Sequence, residues 1–461
     1  MKHLRPTISS PTHKPLSAQR RQFLKLLGAT GASGIGLSTL AGFSAAAQTA
    51  PDYKALVCLF MFGGNDGNNL LVPMADPQYG QYQRLRTGLA LSRDSLLPLA
   101  RGAAGGPALG LHPAMPGLQN LYNQGHAAML ANVGPLAVPT SLKQYNDRSV
   151  LLPENLFSHS DQQLQWQSAL VDQPQRSGWA GRMMERQVDA ATRNRGYSVI
   201  SVAGGNLWEI GDATLLPYKV SASGNFGFDF YDPGNPSDPL SKAISQTLAQ
   251  RSPHLLEQAW TDVVVRSIDT QRVLTQALNS ATLKTPFPDS DLGRQLRMIA
   301  RLIAARAQLG LPRQCFFCSV GGFDTHGDDQ MQRQNDLFGQ ISSAVSAFYA
   351  ATEELALAKQ VTLFSASDFG RTAQSNGKGS DHGWGNHHFV VGGSVKGGQL
   401  IGRMPEMALR GPDDVGTGIW LPTLATDQLS GTLGSWFGAG DALSNILPRL
   451  SGFAPNLGFM G

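Results

Sequence analysis

The sequence predicts an α/β protein built on a mostly parallel sheet, with a helical portion embedded in it. Apolar runs at 55–62, 315–320 and 361–365 have the character of central parallel strands covered on both faces. Each empties into a loop holding Gly, Asp, Asn or His, where open parallel sheets place their ligands. Between the second and third runs, Leu337, Ile341, Val345, Phe348 and Leu355 share one helical face. That pattern is a strand, helix, strand crossover, which returns both loops to the same sheet edge.

Taken from the N-terminus, the first element is an export segment. Gln19-Arg20-Arg21-Gln22-Phe23-Leu24-Lys25 precedes a weakly apolar, Gly- and Ala-rich run to Leu40, and Ala45-Ala46-Ala47 offers small residues for cleavage. This predicts a twin-arginine signal over 1–47, recognised by the twin-arginine export machinery, and a mature chain 48–461 in the periplasm or outside the cell. A short membrane anchor is the other reading of the same run. The segment holds six of the 37 Lys and Arg and none of the 33 Asp and Glu, which leaves 31 against 33. A net charge near −2 gives nucleic acid no electrostatic hold. No stretch after residue 47 approaches the length of a membrane-spanning helix. Cys58, Cys315 and Cys318 are too few for a disulfide framework and read as small buried apolar residues.

The strand at 55–62 leads into Gly63-Gly64-Asn65-Asp66-Gly67-Asn68-Asn69. This is either a plain tight turn or a loop supplying oxygen ligands from Asp66, with Asn68 at hand. Its glycine spacing does not fit a dinucleotide fold. Residues 127–133 make a second strand. Ser158-His159-Ser160-Asp161 stands before a helix and is either an N-cap cluster or a means of presenting the Ser160 hydroxyl to a site. Residues 240–311 read as a mostly helical insertion, with apolar spacing of three and four at Leu296, Ile299, Leu302 and Ile303.

The chemistry gathers in the last third. Asp324 and His326 lie two apart, so in an extended loop both face one ion. Asp368 ends the strand at 361–365 and is followed by Arg371, which either holds an anionic group bidentately or pairs with Asp368 to close the strand end. His382, His387 and His388 add imidazoles, so that four of the eight histidines outside the signal lie between 326 and 388. Carboxylates and imidazoles in this number suit a divalent metal ion: zinc, manganese, iron or calcium.

The stretches Met61 to Asn69, Gly322-Phe323-Asp324-Thr325-His326, Ser367-Asp368-Phe369-Gly370-Arg371-Thr372 and Asp381-His382-Gly383-Trp384-Gly385-Asn386-His387 together resemble the twin-arginine-exported proteins called domain of unknown function 1501. The resemblance covers nearly the whole mature chain. The family is placed with the alkaline phosphatase and sulfatase superfamily of metal-dependent hydrolases. The resemblance implies a three-layer, alkaline phosphatase-like α/β sandwich and two ions about 4 Å apart that drive displacement at phosphorus or sulfur. Asp324, His326 and His382 would hold one ion and Asp66 and Asp368 the other, with Ser160 in the nucleophile's place. The substrate would be a small anionic ester or an extracellular polymer carrying one. Three departures bear on this, the first being that Asp324 and His326 stand closer together than the superfamily's Asp and His do. Asp368 is followed by Phe369 where the superfamily has His, so His387 or His388 would have to substitute. Asn65, Asn68 and Asn69 also stand where a nucleophile is usual. An inactive exported binding or assembly protein on the same fold is the alternative.

Overall fold

A computed structural model describes residues 52–461 apart from 101–105, 190–194, 214, 225–230, 233, 234 and 236. The expected export segment 1–47 lies outside the described residues. Among the described residues nine strands form the main sheet: β1 (Lys54–Met61), β2 (Ala127–Gly134), β3 (Val199–Ser201), β4 (Tyr218–Lys219), β5 (Arg313–Val320), β6 (Val361–Ser367), β7 (Asn386–Gly392), β8 (Leu400–Ile401) and β9 (Leu424–Ala425). Their order is β8-β2-β7-β6-β1-β5-β3-β4, and β9 also pairs with β2. Every pair is parallel except those of β7, which runs against both β2 and β6.

The apolar runs give this sheet two buried faces. In β1, Ala55, Val57, Leu59 and Met61 enter one core while Leu56, Cys58 and Phe60 enter the other, the alternation a pleated strand imposes. The first core is closed by α1 (Asp291–Ala304) through Leu296 and Ile299 and by α2 (Gln330–Glu354) through Phe338, Ile341 and Val345. The second is closed by the helix Trp179–Gln187 and by α3 (Thr426–Phe437) through Trp179, Met183, Leu429 and Leu433. The result is the expected mixed, mostly parallel sheet between helical layers. Each large side chain buried this way contributes roughly 1.5–3 kcal/mol. The three cysteines are free and buried.

The stretch 240–311 is helical, in Pro239–Ala249, Leu255–Ser280, α1 and Arg306–Leu309. Its parts differ, however. Leu255, Leu256 and Trp260 are exposed, whereas α1 belongs to a sheet layer. No helix among the described residues is long and apolar enough to cross a membrane.

Register positions the site. Met61 lies opposite Val320 on one side and Ser367 on the other. The loops beginning at Phe62, Gly321 and Asp368 therefore leave the sheet side by side. Because β7 is antiparallel, its amino end at Asn386 reaches the same edge.

Candidate metal centre

The three loops are tied together by one side chain. Arg371 is buried and begins a short hairpin, Arg371–Ser375 with Ser380–His382. Its Nε donates to Gly64 O (2.9 Å), Nη1 to Ser380 O (3.0 Å) and His326 Nε2 (3.2 Å), and Nη2 to Gly63 O, Phe323 O (3.0 Å) and Asp324 Oδ1 (2.6 Å). All five N–H groups of the guanidinium are thereby used, and none is left to clamp a substrate anion. Close approach needs glycine at position 63, where φ is +110° and a Cβ would stand 2.5 Å from Asp324 N.

Around Asp324 three imidazoles converge, each with Nδ1 already engaged. His326 Nδ1 donates to Asp381 Oδ1 (2.9 Å), His382 Nδ1 to Phe157 O (2.8 Å) and His159 Nδ1 to Asp368 Oδ2 (2.6 Å). A neutral ring that donates from Nδ1 presents a bare lone pair at Nε2. Those lone pairs point inward: Nε2 of His326, His159 and His382 lies 3.0, 3.5 and 3.5 Å from Asp324 Oδ1. The Nε2 atoms of His326 and His382 are 3.0 Å apart. Ligands placed tetrahedrally at zinc distances are separated by about 3.3 Å. Ligand atoms of His159, Asp324 and His382 all lie within 4.8 Å of one another. His159 Nε2 is buried without a hydrogen-bond partner. Electron-rich atoms this close repel one another unless a cation lies among them, so the donor set fits a divalent ion. His326 Nε2 accepts from Arg371 and falls outside that set of mutually close ligand atoms.

The surroundings tune these groups. The hydrogen bond from His159 to Asp368 raises the histidine pKa, whereas burial lowers that of His382. Burial pushes Asp324 up, but the Arg371 hydrogen bond and charge outweigh it and hold the carboxyl below its usual range. Asp381 is lowered by its bond from Asn376 and then by His326. The Asp324 side chain is 52% exposed, so the cluster opens to solvent.

Asp324, His326, Asp368, Arg371 and His382 are thus brought together, and four other candidates are not. Asp66 is buried in an ion pair with Arg86, and its carboxylate also accepts from Gln330 Nε2 (2.7 Å) and Asn68 Nδ2 (3.2 Å). With those partners it is a structural carboxylate rather than an ion's ligand. Asn68 donates to Arg371 O (2.9 Å) and accepts from Trp420 Nε1 (2.7 Å), which leaves nothing for substrate. His387 and its neighbour His388 lie inside β7 and not in a loop. His387 Nδ1 accepts from Asn132 N (3.0 Å), and burial lowers the two rings to about 4 and about 3. Ser160 is exposed, its hydroxyl 3.2 Å from both Ser158 Oγ and Asp161 Oδ2, and Ser158, at the N-cap position, makes no side-chain capping bond, so the segment does neither of the two things expected of it. The residue that enters the site from this segment is His159, which the sequence reading passed over for its neighbour. Asp381, Gln163 and Arg86 were missed as well.

The chain belongs to the family described as Protein of unknown function (DUF1501), which it matches over residues 53–417. No curated protein matches it. Among solved structures it is similar to PsFucS1 sulfatase from Pseudoalteromonas sp., at 11% identity and a TM-score of 0.35 over 85% of this chain and 68% of that one. It is also similar to Ps i-CgsB, at 9% identity and a TM-score of 0.36 over 87% and 77%. A third similarity is to the C-terminal periplasmic domain of EcEptC from Escherichia coli in complex with zinc, at 11% identity and a TM-score of 0.28 over 85% and 84%. Likeness at this level transfers neither substrates nor residue roles.

Proposed function

We propose that this chain is an exported, metal-dependent hydrolase of phosphate or sulfate esters that holds one divalent ion through His159, Asp324 and His382. The observation that carries this reading is the convergence of His159 Nε2 and His382 Nε2 on one Asp324 oxygen, with each Nδ1 tied to an acceptor. An ion bound there supplies Lewis acidity and activates water. Asp324 and the imidazoles orient the reacting centre at the open mouth of the cluster. Among the described residues no hydroxyl or thiol hydrogen-bonds to these side chains, and Ser160 is turned to Ser158 and Asp161, so water rather than Ser160 is the nucleophile in this reading. His326 Nε2 lies 3.0 Å from Asp324 Oδ1 but already accepts from Arg371, so it is not the group that takes the water's proton.

The lack of a side-chain nucleophile and of a free guanidinium equally favours a second reading, an exported binding protein that keeps the metal and has no turnover. Elemental analysis of the mature protein and of Asp324→Ala, followed by a screen of aryl phosphates and aryl sulfates, separates the two. About one equivalent of metal, lost in the variant and accompanied by turnover, supports the hydrolase. Metal without turnover supports the binding protein, and no metal overturns both. Export over 1–47 is tested by N-terminal sequencing of the periplasmic fraction, which is expected to begin at or near Gln48.

A further inference from the structure

We propose that Asp368 does not bind the ion but is a positioning residue that acts through His159, an inference that rests on the metal reading above. Asp368 is wholly buried at the end of β6, and one of its oxygens does all the work. Oδ2 accepts from His159 Nδ1 (2.6 Å), Gln163 Nε2 (2.8 Å) and Gly63 N (3.2 Å), while Oδ1 has no hydrogen-bond partner. Asp368 also falls outside the set of mutually close ligand atoms formed by His159, Asp324 and His382.

The geometry of His159 explains what Asp368 is for. This histidine opens the helix His159–Ser168, reached through backbone that its residues adopt only reluctantly: Asn155 has φ +47° and Phe157 +71°. The Phe157 carbonyl from that turn receives His382 Nδ1, and the His159 ring packs against Phe369 at 4.7 Å and edge-on to His382 at 4.3 Å. Packing fixes the plane of the ring but not which nitrogen carries the proton. Asp368 does that: a carboxylate at Nδ1 holds the hydrogen there and leaves Nε2 bare toward Asp324. Gln163, one helical turn along, holds the same oxygen and so fixes Asp368 in turn.

A double-mutant cycle on zinc affinity tests this, measured by chelator competition on the mature protein for wild type, Asp368→Asn, His159→Ala and the double variant. If Asp368 acts through His159, each single change weakens zinc binding by about 10–100-fold, and the double variant binds no more weakly than His159→Ala. Losses that multiply in the double variant would make Asp368 an independent ligand and overturn the proposal, as would an unchanged affinity in Asp368→Asn. A wild-type protein that binds no zinc would overturn the metal reading first, and is distinguishable on that ground. Should Asp368→Asn fail to fold, Gln163→Leu removes only one donor from the carboxylate. It is expected to weaken zinc less than His159→Ala and to have no further effect in the His159→Ala background. Nitrogen NMR of the histidines adds a readout that mere structural support does not move. His159 is expected in the Nδ1–H form in the zinc-free wild type and in a mixture of forms in Asp368→Asn; one unchanged form in both proteins counts against the proposal.

Discussion

Two carboxylates at the same edge of the sheet, Asp66 and Asp324, have opposite surroundings. Asp66 is 2% exposed, paired with Arg86 and bonded by two amides. Asp324 is 52% exposed, touches one guanidinium and faces the Nε2 atoms of three imidazoles, of which only that of His326 is bonded to Arg371. Asp66 is satisfied by its own chain, whereas Asp324 has one guanidinium donor and otherwise stands among imidazole nitrogens at the open mouth of the cluster. A carboxylate in a Gly-rich loop after a strand is therefore insufficient to mark a ligand; what matters is whether its neighbours are donors or acceptors.

The largest effect that sharpens this contrast is expected from Arg371→Ala, which strands four backbone carbonyls and frees three loops. It should lower the unfolding free energy by about 3–5 kcal/mol in urea titrations; a loss under about 1 kcal/mol would show the loops hold without it. Arg86→Ala leaves Asp66 charged and buried and should cost about 3–5 kcal/mol as well, with zinc affinity little changed. Asp324→Ala should do the reverse, abolishing zinc binding while changing zinc-free stability by no more than about 1 kcal/mol. If Arg86→Ala removed zinc and spared stability, the contrast would be inverted.

Acid provides the next test. His387 and His388 are lowered by burial to about 4 and about 3, below the ordinary histidine value of 6.5, so the unfolded chain binds more protons as pH falls. Their contribution is complete above about pH 6.5 and is lost towards pH 3–4, at about 2 kcal/mol per histidine between pH 7 and 5. His159, raised by Asp368, works in the opposite sense: its contribution is present below its unfolded pKa and fades as pH rises through the folded one. Denaturation midpoints that stay flat from pH 7 to 5 would mean the β7 histidines are not buried as neutral rings. The smallest effect is expected of Ser160→Ala, with stability within about 0.5 kcal/mol and unaltered zinc binding and turnover. Lost turnover with metal retained would restore Ser160 to the site.

Much of this was legible in the sequence, and the gaps have physical causes. Three apolar runs and one helical stripe were enough to place Asp324, His326, Asp368 and Arg371 at one edge, because parallel topology forces strand ends together. His382 followed from its nearness to them. His387 and His388 did not, since the change from hairpin to antiparallel strand at Asn386 has no marker in a run so rich in Gly and His. His159 was hidden because its partner Asp368 is 209 residues away while its immediate neighbours offer a complete local explanation as a helix cap. Arg86 gave no sign either, as it ends a polar surface-like helix, Gln78–Arg86, whose last side chain turns inward.

Arg371 also carries a consequence for the order in which the molecule is made. Its acceptors come from residues 63, 64, 323, 324, 326 and 380, so the guanidinium finds them only after the first strand, the fifth and the closing hairpin have all docked. A nascent chain that stops short of residue 371 has Asp324 and His326 but nothing to draw their loop against the first. The joining of these loops is a late event in the chain's assembly, and under the metal reading proposed above uptake of an ion would report that residue 371 has been reached.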